Sequence, residues 1–163
     1  FRDSGDLYIF HQIDTAVDLA RRIKVIKDKN SSISWALEGF SEDELFAACL
    51  LHDIVENKAA TLEDIERNFG AGVRYYLQVI TKGDVDKFAQ PEELRRQKQV
   101  RDNLYINGIY SSLLGNSGKP SGLSIVLIKL QDRIVNLESI SAFNENSGQA
   151  SFQRQIKYLE ESV

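Results

Sequence analysis

The sequence predicts an all-α fold, and three observations carry that expectation. Apolar residues recur every three or four positions through most of the chain, helix-starting signatures precede several of these runs, and no stretch alternates with the period of a strand. No internal repeat is visible, so residues 1–163 are expected to form a single domain. At 163 residues and 42% hydrophobic content, the chain is long enough to bury one core.

The first clear helix is read from about Ile13, with Ala16, Val17, Ala20, Ile23 and Ile26 on its apolar side. Ser41-Glu42-Asp43-Glu44 has the form of a capping box, in which a serine hydroxyl takes a first-turn amide and a glutamate reaches back. The helix it opens carries Leu45, Phe46, Ala48, Cys49 and Leu51, and is expected to deliver His52 near its end. Thr61, with Asp64 three residues on, starts a short helix ending near Phe69-Gly70. Val73, Tyr76, Leu77 and Ile80 then give a further amphipathic face. Pro91 stands at a first helical position and opens the charged segment "PEELRRQKQVRDNLYINGIY". Residues Gly115 to Gly122, "GNSGKPSG", form the clearest loop. After it, "LSIVLIKLQDRIVNLESI" is the most apolar helix, with Leu123, Val126, Leu127, Leu130, Ile134 and Leu137 expected on the buried side. "NENSGQ" is a second loop, and a final helix is expected from about Ser151.

A net charge of −4 and a pI near 5.3 argue against a general nucleic-acid binder, which needs a basic face. A small anionic ligand is still compatible, because a local group of Arg and Lys can serve it. No apolar run approaches the ~20 residues that span a bilayer, and no signal-peptide pattern opens the chain, so no membrane partner is expected. The single cysteine, Cys49, allows no internal disulfide; a reducing cytoplasm is the expected setting, with Cys49 a small core residue.

The chemistry-bearing residues are few. The only two histidines are His11 and His52, and His52 is followed directly by Asp53. Asp132 interrupts the otherwise apolar helix near the C-terminal end. An unpaired carboxylate buried in such a helix costs several kcal/mol, and a metal ion would remove that cost. Two imidazoles and two carboxylates make a mixed N/O set suited to Mn²⁺, Fe²⁺ or Zn²⁺, with positions left for water. Asp132 beside Arg133 also reads as a simple helix ion pair; the ordered combination of His, His-Asp and a distant Asp favours the metal.

This order resembles that of the HD-domain metal-dependent phosphohydrolases, and more narrowly the hydrolase domain of the RelA/SpoT-type alarmone enzymes. "FRDSGDLYIFHQIDTAVDLA" is similar to that family's Arg-Lys-Ser-Gly-x-x-Tyr-x-x-His segment, and "AACLLHDIVENKAATLEDIERNFGAGV" to its Leu-Leu-His-Asp-Val-Val-Glu-Asp segment with the Thr-x-x-x-Ile…Phe-Gly that follows. "VLIKLQDRIVNLESI" is similar to its Ile-Lys-Leu-Ala-Asp-Arg-x-x-Asn helix. The resemblance implies an HD-type helical bundle with one mononuclear site, in which His11, His52, Asp53 and Asp132 hold a single Mn²⁺. It implies that Glu56 positions or activates the attacking water or helps protonate the leaving 3′-oxygen, that Arg2 packs on the guanine, and that Ser4 and Asn136 lie by the nucleoside. The implied reaction is removal of the 3′-diphosphate from (p)ppGpp, giving GDP or GTP and pyrophosphate. Phosphate contacts are expected from the middle segment, with Lys87 and Arg96 the chosen candidates beside Lys82 and Arg95.

Several positions depart from the family pattern. Asn57 stands where an aspartate usually follows the motif's glutamate, and an amide orients a water without exchanging a proton at neutral pH. Asp3 replaces a lysine beside Arg2, Gln12 replaces a proline after the first histidine, and the loop from Gly115 to Gly122 is longer. The family's first helix has no counterpart here and is expected before Phe1. Two further readings follow: an HD phosphohydrolase acting on another nucleotide, or a metal- or nucleotide-binding module with weakened catalysis.

Overall fold

The computed structural model describes residues 8–29, 41–113 and 122–142. Arg2, Ser4, most of the loop expected from Gly115, and the final helix expected from Ser151 lie outside the described residues. Five α-helices run in order: α1 Tyr8–Asp28, α2 Glu42–Leu50, α3 Leu62–Ile80, α4 Pro91–Leu113 and α5 Gly122–Ala142. Among the described residues there is no strand, and the all-α expectation holds. No described helix is long and apolar enough to cross a membrane.

The two N-terminal caps differ from each other. Thr61 and Asp64 form a complete capping box at α3, each satisfying the other's amide. At α2 only one arm forms: the Ser41 hydroxyl accepts from the Glu44 amide at 3.3 Å. Glu44 does not reach back, because its carboxyl fills the space a side chain at position 72 would need; Gly72 leaves that space open. The break expected near Phe69-Gly70 is present within α3, where Gly70 has φ +90°, a conformation that glycine adopts without strain. The two halves of α3 thus aim separately, and the second places Val73, Tyr76, Leu77 and Ile80 in the core.

That core joins Leu19 and Ile23 of α1, Leu45, Ala48 and Cys49 of α2, Ile65 to Ile80 of α3, and Ile125 and Ile128 of α5. Each such leucine or isoleucine contributes about 1.5–3 kcal/mol when fully buried. Cys49 is a core residue, and burial, with the negative charge of Asp132 as a smaller cause, pushes its thiol up to about 12. Helix α5 touches all four other helices, so a side chain midway along it is presented to the centre of the bundle. Helix α4 is the least embedded, meeting the core chiefly through Ile109.

Two apolar faces are rotated from their expected positions. On α5 the buried stripe is Ser124, Ile125, Ile128, Gln131 and Val135, while Leu130 is 54% exposed. This helix is apolar nearly all round, so hydrophobic period alone does not select its inner side. The inner side is fixed instead by polar partners, such as the Ser124 hydroxyl 3.0 Å from that of Tyr76 in α3. On α1 the buried line is His11, Thr15, Leu19 and Ile23, and Ile13 and Val17 face outward. There too a histidine and a threonine lie inside, the Thr15 hydroxyl donating to the His11 carbonyl at 2.7 Å.

Candidate metal and substrate site

Helix α2 ends at Leu50, and His52 lies just beyond it, near the helix end as expected, in a chain of turns from Leu51 to Lys58. The turns are closed by Ile54 N–H to Leu51 O (2.9 Å), Asn57 N–H to Asp53 O (2.9 Å) and Lys58 N–H to Val55 O (3.0 Å). Lys58 takes a left-handed φ of 58°. A short, internally bonded segment therefore carries His52, Asp53, Glu56 and Asn57 together.

His52 is fully buried, and its Nδ1 lies 2.7 Å from the Cys49 carbonyl. A carbonyl only accepts, so Nδ1 carries the hydrogen and the neutral ring presents its lone pair at Nε2. That atom is 3.3 Å from Asp53 Oδ2 and 3.5 Å from Asp132 Oδ1, and makes no aligned hydrogen bond to either. His11, also buried, places Nε2 at 3.1 Å from Asp132 Oδ1, and its Nδ1 has no partner. The two imidazole rings meet edge to face at 5.4 Å between centroids. Asn136, one turn after Asp132, donates from Nδ2 to Asp132 Oδ1 at 2.7 Å, and Lys129 Nζ lies 3.7 Å from Oδ2.

The electrostatics of this cluster are coupled. Burial alone would lower the His52 pKa, but the adjoining carboxylates of Asp132 and Asp53 outweigh it and raise it to about 9. Burial works to raise Asp132, yet His11 and His52 hold it well below the usual carboxylate range. Asp53 is likewise lowered, its burial outweighed by His52.

A divalent cation fits these residues. His11, His52 and Asp53 offer ligand atoms within 4.8 Å of one another, and Asp132 approaches both histidines. Two donors bound at right angles to one ion at ~2.1 Å are about 3 Å apart, the spacing range of these imidazole–carboxylate contacts. The buried His52 Nε2, with its tautomer fixed from behind and no hydrogen bond of its own, is the kind of atom an ion would satisfy.

Glu56 and Asn57 are both exposed on the turn that carries His52. Beyond the cluster, the end of α3, the following turn and α4 enclose a cavity of about 700 Å³. Arg96 lines it; Lys87 is exposed and is not part of its lining. Lys82 pairs with Asp102 at 3.5 Å and lies 5.3 Å from the centre of the Tyr105 ring. Tyr105, Thr81 and Arg101, which sequence reasoning did not single out, also line the cavity. Nothing in the irregular pattern of the α4 segment marks Tyr105, which is partly buried.

A helical scaffold that brings together a His, a His-Asp pair and an Asp from three separate segments defines a class of metal-site proteins. The comparisons with known proteins narrow that class. A family model described as "HD domain" matches residues 25–159, and the chain belongs to the HD-domain family. The match begins after His11, so the place of that residue in the site rests on its contacts. The chain is 27% identical over 141 residues to the bifunctional (p)ppGpp synthase/hydrolase SpoT of Escherichia coli K12, covering 86% of this chain and 16% of that protein. It is 27% identical over 139 residues to a guanosine-3′,5′-bis(diphosphate) 3′-pyrophosphohydrolase of Spiroplasma citri, covering 85% of this chain and 15% of the relative. For the protein of that name in Aquifex aeolicus the values are 25% over 144 residues, 88% of this chain and 16% of the relative. The chain thus spans about a sixth of the length of these relatives.

Proposed function

We propose that this chain is a Mn²⁺-dependent phosphohydrolase that removes the 3′-diphosphate from (p)ppGpp, giving GDP or GTP and pyrophosphate. The observation that carries the reading is the group of two buried imidazoles and two half-buried carboxylates, with Asp53 and Asp132 at 3.3 and 3.5 Å from His52 Nε2 and Asp132 at 3.1 Å from His11 Nε2. The names of the relatives, which align along most of this chain, support the substrate.

In this reading His11, His52, Asp53 and Asp132 hold one Mn²⁺, which when bound supplies Lewis acidity toward water and phosphoryl oxygens. The Cys49 carbonyl keeps the His52 lone pair at Nε2, and Asn136 holds the Asp132 carboxylate in place. Glu56 orients the attacking water and accepts its proton. The water oxygen forms a bond to the 3′-phosphorus as the bond from phosphorus to the 3′-oxygen breaks. The 3′-oxygen receives the proton, which Glu56 can return to it. Asn57 orients and does not exchange protons. Arg2, Ser4 and Asn136 would fix the guanosine, and Arg96 and Lys87 the phosphates.

The test is release of pyrophosphate from ppGpp by the Mn²⁺-loaded protein. Asn57 favours a second reading, in which the same site acts on another nucleotide or binds without turnover. A panel of nucleotides decides between them: release only from a different compound selects the first alternative, and binding without release from any selects the second.

A further inference from the structure

Lys129 brings a positive charge to the donor cluster from within α5. Its ammonium lies 3.7 Å from Asp132 Oδ2, one helical turn away. At that distance the contact is an ion pair too long for a hydrogen bond, and the ammonium makes no hydrogen bond among the described residues. The other oxygen of Asp132, Oδ1, is taken by His11 at 3.1 Å and Asn136 at 2.7 Å. The three N–H donors of one ammonium therefore stand unbonded beside a carboxylate of the cluster.

Two neutral imidazoles and two carboxylates cancel the charge of a divalent cation, so Lys129 adds one positive charge in excess. Burial raises Asp53 and Asp132, the imidazoles lower them most, and the Lys129 charge lowers both further; it reaches the two carboxylates together. A cation so placed repels a metal ion and weakens its binding unless an anion joins them. Exposure shows from which side an anion can enter. The His11 and His52 side chains are 3% and 0% exposed, against 17% for Asp132, 23% for Asp53 and 25% for Lys129. The imidazoles close the rear of the site, and the carboxylates and the ammonium are what solvent reaches.

Resting on the function proposed above, we infer that Lys129 is a substrate-contacting residue, its ammonium donating to a phosphoryl oxygen of the ligand held at the donor cluster. Such an oxygen cancels the excess charge and occupies a donor that the protein leaves unbonded. The stem of Lys129 is largely buried along α5, so the charge is already in place and loses little freedom when a ligand arrives. Anionic oxygen is thereby selected beside the reacting centre itself, and a neutral ligand of the same size gains nothing from this contact.

Binding of inorganic phosphate to the Mn²⁺-loaded chain, measured by calorimetry, tests this without turnover. Lys129→Met keeps the stem and removes the charge. It is expected to weaken phosphate about 10- to 100-fold, the range of one hydrogen bond between charged groups. Mn²⁺ affinity, titrated without phosphate, should be unchanged or higher, because a neighbouring positive charge is gone. Lys129→Arg should restore most of the phosphate affinity. Lys129→Gln, polar and uncharged, is expected to behave as Lys129→Met does, which keeps the test decisive should the latter fail to fold. Phosphate affinity that does not move in the folded variants overturns the inference. A parallel loss of Mn²⁺ affinity overturns it too, since Lys129 would then only brace Asp132. A chain that leaves ppGpp intact yet loses phosphate affinity on Lys129→Met keeps the inference and fails the proposed reaction. Turnover of ppGpp with unmoved phosphate affinity does the reverse.

Discussion

Replacing Asp132 by asparagine in the metal-free protein removes one of two charges that hold a buried imidazole. Asp132 Oδ1 lies 3.1 Å from His11 Nε2 and 3.5 Å from His52 Nε2. Although burial opposes its charged form, His52 is raised from 6.5 to about 9 by Asp132 and Asp53. A folded-state pKa above the unfolded value means that protonation favours the fold. That contribution is fully present below pH 6.5 and is lost as the pH rises through 9. At 1.36 kcal/mol per unit, the whole effect is on the order of 3 kcal/mol, shared between Asp132 and Asp53. For a chain of this size 1 kcal/mol moves Tm by about 2–4 °C, so losing half of that effect with Asp132→Asn should lower Tm by roughly 3–6 °C at pH 6. At pH 10 the difference should nearly vanish, since His52 is neutral in both proteins. The assay is thermal unfolding followed by circular dichroism in chelator at the two pH values. Equal destabilisation at pH 6 and pH 10 would refute the reasoning, because it would make the role of Asp132 independent of the His52 charge.

Mn²⁺ must displace the His52 proton, so its apparent affinity should rise about tenfold per pH unit from pH 6.5 and level near pH 9, with about one ion bound per chain; a flat titration, or two tightly held ions, contradicts the site. Asn57→Asp should raise ppGpp hydrolysis at least tenfold, about 1.4 kcal/mol off the barrier, with little change in Mn²⁺ affinity; steady-state rates and metal titration check both parts. Asp132→Ala should abolish Mn²⁺ binding while the chain stays helical at pH 8, which metal analysis and circular dichroism read together. Gly122→Ala should destabilise by about 1–3 kcal/mol, as expected of overpacking, because the added carbon meets the backbone of Ser112 and Leu113 where α4 closes on α5; chemical denaturation measures it.

The helices were legible in the sequence because the signals that start and stop them are local. Thr61 with Asp64, Gly70 and Pro91 act within a few residues of themselves, and each does what its chemistry predicts. The inner faces of α1 and α5 were less legible. Period-based reading seeks apolar residues, and here the sides turned inward carry His11, Thr15, Ser124 and Gln131 as well. Their burial depends on partners contributed elsewhere, such as Tyr76 for Ser124 and Asp132 for His11, separated by 48 and 121 residues. The metal-site candidates were visible because histidine is scarce in this chain. Tyr105 was not, since one tyrosine among six becomes notable only when the fold leaves its hydroxyl unpartnered beside a cavity.

The positions of Glu56 and Asn57 explain how an acid pair can change while the donor cluster is kept. His11 and His52 are buried, and their donors are braced by Cys49 and Asp132. Removing any of these disturbs packing, tautomer and charge at once. Glu56 and Asn57 stand exposed on the surface of the same turn, and the Asn57 bond to Asp53 uses its backbone amide. Exchanging Asp for Asn at position 57 therefore alters proton transfer without touching what shapes the metal site. Surface substitutions of this kind usually change stability by less than about 0.5 kcal/mol. On the proposed function, metal retention and rate should therefore be separable, and position 57 is where substitution should move the second without the first.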